Sequence, residues 1–277
     1  TMLKQIKGLH HVTSLASNAQ ANNAFFTEAM GLRRVKKTVN FDAPDVYHLY
    51  YGDALGTPGS VMTYFPFPNA ARGKRGVGEV SRTAFAVPRG SLDHWATRLG
   101  SSAATQVAKD TYFGAPRLTF SGPDGDDFAL IEVQDDRTPW TEGGIDPDLA
   151  VRGFHSASMR LADDGATAEV LRFMGYEVGE KDGASQRFVM PDGNGADSID
   201  IETIPGAQAA RQGAGSVHHI AFAVEDRAAQ LEVRKALLDT GHQVTPVIDR
   251  DYFWAIYFRT PGGVLFEVAT NEPGFDV

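Results

Sequence analysis

The chain contains no cysteine. Disulfides and thiolate metal ligands are therefore excluded, and any metal ion must be held by nitrogen and oxygen donors. It has no apolar run near the roughly 18 residues that a membrane-spanning helix needs. Its first residues also lack the charged segment and apolar core of a secretion signal. A soluble, cytoplasmic protein is expected. Positive charge is in the minority, since 26 Lys and Arg stand against 35 Asp and Glu, for a formal net charge of −9. That balance disfavours nucleic acid and anionic membranes, both of which require a basic footprint. A small molecule is the expected partner, and a homo-oligomer stays open.

What the chain does have is repetition. A length of 277 residues suits one large domain or two small ones, and an internal repeat decides for two. An alternating apolar strand, an amphipathic helix and three further strands recur four times, each copy the size of a βαβββ unit. Modules are expected at 1–70, 71–137, 151–207 and 208–277. A linker at 138–150 lies within the stretch 134–150, rich in Asp, Gly and Pro. In the first module a strand at 9–15 precedes a helix capped by Asn18, carrying Phe25, Phe26 and Met30 and ended by Gly31. Strands at 34–39, 46–51 and 61–65 follow. The second has a strand at 80–87, a helix from Ser91 with Leu92, Trp95 and Leu99 at helical spacing, and strands at 118–120 and 128–133. The third opens at 154–161, has a helix with Val170, Leu171 and Phe173, and closes at 198–204. The fourth opens at 217–224, has a helix with Leu231, Val233, Leu237 and Leu238 ended by Gly241, and closes with strands at 252–258 and 264–269. The expected fold class is α+β, with four βαβββ modules forming two open-barrel domains.

A doubled histidine occurs twice, in Gly8-Leu9-His10-His11-Val12-Thr13 and in Ser216-Val217-His218-His219-Ile220-Ala221, and a late strand, Gly263-Val264-Leu265-Phe266-Glu267-Val268, carries a carboxylate. Aligning the opening strands puts His11 and His219 opposite Arg82 and Ser156 of the other two modules. His155 falls opposite His10 and His218, and alternation along a strand turns it to the other face. For the closing strands, Glu267 lies six residues after Pro261. The same count from Pro123 reaches Ala129 and from Pro58 reaches Tyr64, while Glu132 is out of register. The irregular turn Pro191-Asp192-Gly193 leaves Asp197, Asp200 and Glu202 open in the third module. The arithmetic favours one metal site, His11, His219 and Glu267, shared by modules one and four. Two imidazoles and one carboxylate make a facial triad with open positions for substrate and oxygen.

These motifs, together with Tyr51-Gly52-Asp53, Gly56-Thr57-Pro58-Gly59, Phe65-Pro66-Phe67, Asp249-Arg250-Asp251-Tyr252-Phe253 and Pro273-Gly274-Phe275, resemble the vicinal oxygen chelate superfamily and, within it, the hydroquinone ring-cleaving dioxygenases. The resemblance covers essentially the whole chain. It implies a glyoxalase/extradiol dioxygenase-like fold with modules one and four paired around the metal. It also implies Fe(II) on His11, His219 and Glu267, with His10, Thr13, Arg250 and Tyr257 around the metal or the substrate. The implied reaction opens a hydroquinone-type ring with O2. His10 is then a candidate general acid or base, because an imidazole titrates near neutrality. Tyr257 and Arg250 are candidates to hydrogen-bond a second hydroxyl or a developing oxyanion.

Plainer roles exist for most of these residues. His10 and His218 are also read as packed polar residues, Arg250 as a partner of Asp249 or Asp251, and Tyr257 as cross-strand packing among Tyr252, Trp254 and Phe258. His48, His94 and His242 show no constellation and are expected at the surface or in packing. The stretches around Tyr50 and Phe65 read first as strand and core, and second as candidate walls of an apolar ring pocket. Rival functions are catechol cleavage, a glyoxalase-like isomerase or lyase, which would want a second carboxylate where the count places Tyr64, and a metal-free protein that sequesters an aromatic compound.

Overall fold

The four repeats fold as βαβββ units in a computed structural model, which describes residues 2–40 and 42–276. The first comprises β1 (Leu9–Ala16), α1 (Ala19–Ala24) with a π-helical turn (Phe25–Ala29), β2 (Arg33–Asn40), β3 (Ala43–Gly52) and β4 (Val61–Pro66). The second comprises β5 (Glu79–Val87), α2 (Leu92–Gly100), β6 (Thr105–Tyr112), β7 (Ala115–Ser121) and β8 (Asp127–Glu132). The third comprises β9 (Gly153–Leu161), α3 (Gly165–Phe173), β10 (Glu177–Asp182), β11 (Ser185–Val189) and β12 (Ser198–Thr203). The fourth comprises β13 (Val217–Val224), α4 (Arg227–Asp239), β14 (Ile248–Asp249), β15 (Phe253–Arg259) and β16 (Leu265–Pro273).

Asn18 caps α1 by accepting from the Ala21 amide at 2.8 Å, and Asp226 caps α4 in the same way at Ala229. Each such cap is worth about 1 kcal/mol. The first helix departs from expectation after Ala24, where the Met30 amide donates to the Phe25 carbonyl in a π turn. The wider turn lets the adjacent rings of Phe25 and Phe26 both enter the core. No helix among the described residues is long and apolar enough to cross a membrane.

Two eight-stranded sheets result. One runs β14-β15-β16-β13-β1-β4-β3-β2 and the other β10-β11-β12-β9-β5-β8-β7-β6. Antiparallel pairing of β1 with β13 joins the first and fourth units, and pairing of β5 with β9 joins the second and third. Phe26, Phe85, Phe128, Phe154, Phe222 and Trp95 are fully buried in one core cluster that spans both sheets. Burying each such side chain is worth roughly 1.5–3 kcal/mol. The segment joining the second and third units is packed down. Arg137 pairs with Asp135 and donates to the Phe154 carbonyl at 2.7 Å, the Trp95 indole donates to Leu149, and Ile145 lies so close to Gly31 (φ +67°) that a Cβ there would collide with it.

The ladder corrects one step of the sequence register. Ala221 pairs with Glu267 on β16, and Thr13, two residues beyond His11 as Ala221 is beyond His219, pairs with Thr63 on β4. The residue equivalent to Glu267 is thus Thr63, and Tyr64 points to the opposite face, where its hydroxyl meets Asp126. Counting from the turn proline assumed equal connections, whereas the first unit reaches the same rung one residue sooner. In the third unit the rung is occupied by Asp200, paired with Ser158, and in the second by Ala129, paired with Ala84.

Candidate metal centre

Strands β1 and β13 lie side by side in the middle of the first sheet, and each bulges at its doubled histidine. Leu9 pairs with Phe222 and His11 with Ala221, so His10 is an extra residue on β1. Thr13 pairs with His219 and Ser14 with Val217, so His218 is an extra residue on β13. A bulge suspends the alternation of faces and re-aims side chains. The neighbouring imidazoles consequently meet, with His10 Nδ1 2.8 Å from His11 Nδ1 and His218 Nδ1 2.8 Å from His219 Nδ1.

Glu267, on β16 beside β13, completes the group. His11 Nε2 lies 3.1 Å from one carboxylate oxygen and His219 Nε2 lies 3.2 Å from the other. The three side chains are buried, and their donor atoms lie within 4.8 Å of one another. Burial opposes ionisation of Glu267, yet the facing imidazoles hold it well below the ordinary carboxylate range. Burial also lowers the pKa of His219, and it pushes His10 down to about 3, with help from neighbouring His11.

The hydrogen-bond pattern tests whether a cation fits. His10 Nε2 lies 3.0 Å from the Thr270 carbonyl, which only accepts, so Nε2 carries the proton. A neutral His10 then has a bare Nδ1 that must accept from His11 Nδ1–H. His11 Nε2 is left as a lone pair aimed at a carboxylate oxygen. His219 Nε2 and both Glu267 oxygens are likewise buried without a hydrogen-bond partner. Lone pairs converging on one buried point repel unless a cation lies between them, and nitrogen and oxygen donors of this kind suit a borderline divalent ion. The residues therefore fit a metal, and the contact with His10 sets the tautomer that leaves His11 Nε2 free to ligate it.

The triad opens onto a cavity of about 390 Å3, within the range of small-molecule sites. Its walls include Phe65, Phe253, Tyr50, Ile248 and Leu265, with Thr13, His48, Arg250 and Tyr257 as polar members. Arg250 Nε donates to Tyr257 Oη at 3.3 Å, and Tyr257 is the cross-strand partner of Glu267. Burial, reinforced by Glu267, raises the Tyr257 pKa well above its usual value, so this phenol stays neutral. Thr13, Arg250 and Tyr257 are thus gathered around the triad, whereas His10 reaches the cavity only through His11. His48, assigned from sequence to the surface or to packing, is instead in the cavity wall. The alternation Tyr47-His48-Leu49-Tyr50 already set His48 and Tyr50 on one face, apart from the core residue Leu49.

The second sheet repeats the geometry without the chemistry. Arg82 pairs with Ser158 and Ala84 with Ser156, so Arg82 and Ser156 occupy the places of His11 and His219. Asp200, in the place of Glu267, is neutralised by Arg187 at 2.8 Å and accepts from Tyr112. His155 sits at the equivalent bulge and pairs with Ser156 Oγ at 2.9 Å. Among the described residues, His11, His219 and Glu267 form the one cluster suited to a metal.

The chain has known relatives in sequence and in fold. The profile of the Glyoxalase/Bleomycin resistance protein/Dioxygenase superfamily matches residues 159–268. Over 276 residues the chain is 38% identical to the provisionally named ring-cleaving dioxygenase MhqO of Bacillus subtilis, spanning 99% of this chain and 88% of that protein. It is 36% identical to the chlorohydroquinone/hydroquinone 1,2-dioxygenase of Sphingobium indicum, spanning 97% of this chain and 86% of that protein. A crystal structure of a provisionally named dioxygenase from Bacillus subtilis superposes with a TM-score of 0.94 at 38% identity, over 98% of this chain and 87% of the other. The chain belongs to the glyoxalase/bleomycin resistance protein/dioxygenase superfamily, in its dioxygenase branch.

Proposed function

We infer that the chain is an Fe(II)-dependent dioxygenase that opens the ring of a hydroquinone or a related phenol with O2. The observation that carries this reading is the convergence of His11, His219 and Glu267, with His219 Nε2 and both Glu267 oxygens unpartnered, on a cavity walled by aromatic rings and edged by Arg250 and Tyr257. The hydroquinone dioxygenase named among the relatives supports the choice of substrate class. When bound, Fe(II) would supply a positive centre with open positions that favours phenolate over phenol and couples it to oxygen.

The remaining work falls to the chain itself. Phe253 and Phe65 offer faces and edges against which an aromatic ring can lie while water is displaced. A catechol has two adjacent oxygens to chelate a metal, but a hydroquinone binds through one and must be oriented at the other. Tyr257, fixed by Arg250, is placed to donate to that oxygen or to a developing negative charge, with the guanidinium beside it. Thr63, at the register position where an isomerase would want a second carboxylate, offers a hydroxyl instead.

The test is anaerobic reconstitution with Fe(II), followed by oxygen-electrode assays on matched hydroquinones and catechols. Oxygen uptake with loss of aromatic absorbance, faster on hydroquinones, is expected. Stoichiometric iron with no uptake on any hydroquinone would overturn the reading.

A further inference from the structure

One wall of the cavity carries a row of hydrogen bonds that involves none of the triad. Tyr50 Oη lies 2.7 Å from His48 Nδ1, His48 Nε2 lies 3.0 Å from Thr63 Oγ1, and Thr63 Oγ1 lies 2.7 Å from Thr13 Oγ1. The register explains the row. Tyr50 and Thr63 are cross-strand partners on β3 and β4, and Thr63 and Thr13 are partners on β4 and β1. Thr13 is in turn the partner of His219 on β13, so the row ends beside the triad.

Each member can hold only the protons its chemistry allows. A neutral imidazole has one N–H, so it donates at one nitrogen and accepts at the other, and each hydroxyl has one proton. Thr63 is wholly buried, so its own proton needs an acceptor within the row, and the row then points one way along its length. Tyr50 is packed against the rings of Tyr252 and Phe275, and among the described residues its hydrogen-bond partner is His48. A phenol is a stronger donor and a weaker acceptor than an aliphatic hydroxyl, so the Tyr50 end of the row is the donating end. Tyr50 is thus the donor to His48, His48 the donor to Thr63, and Thr63 the donor to Thr13. The Thr13 proton is then turned towards the cavity that Thr13 lines.

We propose that Tyr50, His48 and Thr63 are positioning residues, a directed chain that makes the Thr13 hydroxyl a hydrogen-bond donor to an oxygen of the bound phenol beside the metal triad. The proposal rests on the cavity being the phenol site. Burial holds the His48 pKa well below its usual value, with the nearby imidazoles His11 and His219 acting in the same direction, which agrees with a neutral ring in the chain. Successive donors in a low-dielectric wall polarise one another, so the last hydroxyl is a stronger donor than an isolated threonine.

Two measurements test it. Nitrogen-15 spectra of histidine-labelled, metal-free protein at pH 7 should show His48 neutral and protonated at Nε2. This readout needs no turnover, so it stands even if the protein cleaves no phenol. A His48 that is charged, or protonated at Nδ1, overturns the proposal. In the second, Thr63→Val keeps the shape of a fully buried side chain and removes its hydroxyl, while Thr63→Ser keeps the hydroxyl. At equal iron content Thr63→Val should lower kcat on hydroquinone about tenfold or more, since a lost oxyanion donor costs roughly 10²- to 10³-fold and a misdirected one less. Thr63→Ser should stay near wild type, and His48→Leu combined with Thr63→Val should be no slower than Thr63→Val alone, because the chain acts as a unit. Equal kcat for the valine and serine variants overturns the proposal.

Discussion

Replacing His10 by leucine tests the reasoning about tautomers most directly. His10 is 2% exposed and joins two buried groups, the Thr270 carbonyl and His11 Nδ1. Leucine fills much of the space but neither donates nor accepts. His11 is then free to place its proton on Nε2, facing Glu267, where it competes with a metal. Loss of an outer partner of a metal-binding histidine typically lowers metal affinity about 10- to 100-fold, which corresponds to about 1.4–2.7 kcal/mol. The stranded carbonyl and imidazole each add about 1–3 kcal/mol of folding penalty. Competition titration against a chromophoric chelator under anaerobic conditions measures the first effect, and thermal melting of metal-free protein measures the second. The expected outcome is iron affinity at least tenfold weaker and a lower melting temperature. Affinity within a factor of about three of wild type would show that His10 does not set the His11 tautomer, and the assignment of its two hydrogen bonds would have to be abandoned.

Glu267→Ala should lose iron while the fold persists in circular dichroism, and stoichiometric iron in that variant would refute the triad. Tyr257→Phe and Arg250→Ala should keep iron near wild type yet slow hydroquinone turnover by about 10²-fold, with catechol turnover changed far less; equal losses on both substrates in oxygen-uptake assays would argue against a role in orienting the second hydroxyl. Acid should destabilise the protein. The pKa of His10 falls from 6.5 unfolded to about 3 folded, so the unfolded chain takes up a proton first, and the stability this residue contributes is full above pH 6.5 and is lost as the pH falls towards 3. Denaturant titrations of wild type and His10→Leu across that window should show a shallower pH dependence for the variant, and parallel curves would refute it.

The sequence alone determined the features that rest on local pattern. Absence of cysteine confined metal donors to nitrogen and oxygen, and four copies of one strand and helix rhythm specified paired modules. The spacing of His11, His219 and Glu267 within their copies singled out the group that the fold brings together. Strands β6 and β10 escaped notice because they are almost wholly solvent-exposed and lack the apolar alternation that marks a half-buried strand. Other features exist only in the ladder. The bulges that turn His10 and His218 onto their neighbours depend on how β1 and β13 pair, and no single strand encodes them. Thr63 rather than Tyr64 shares the sheet face of Thr13 and His48 because the first unit reaches the rung of Glu267 one residue sooner, and a slip of one residue exchanges the two faces of a strand. His48 looked isolated for the same reason, since its partners Tyr50, Thr63 and the cavity itself are assembled across β3, β4 and β1, and tertiary pairing alone makes them neighbours.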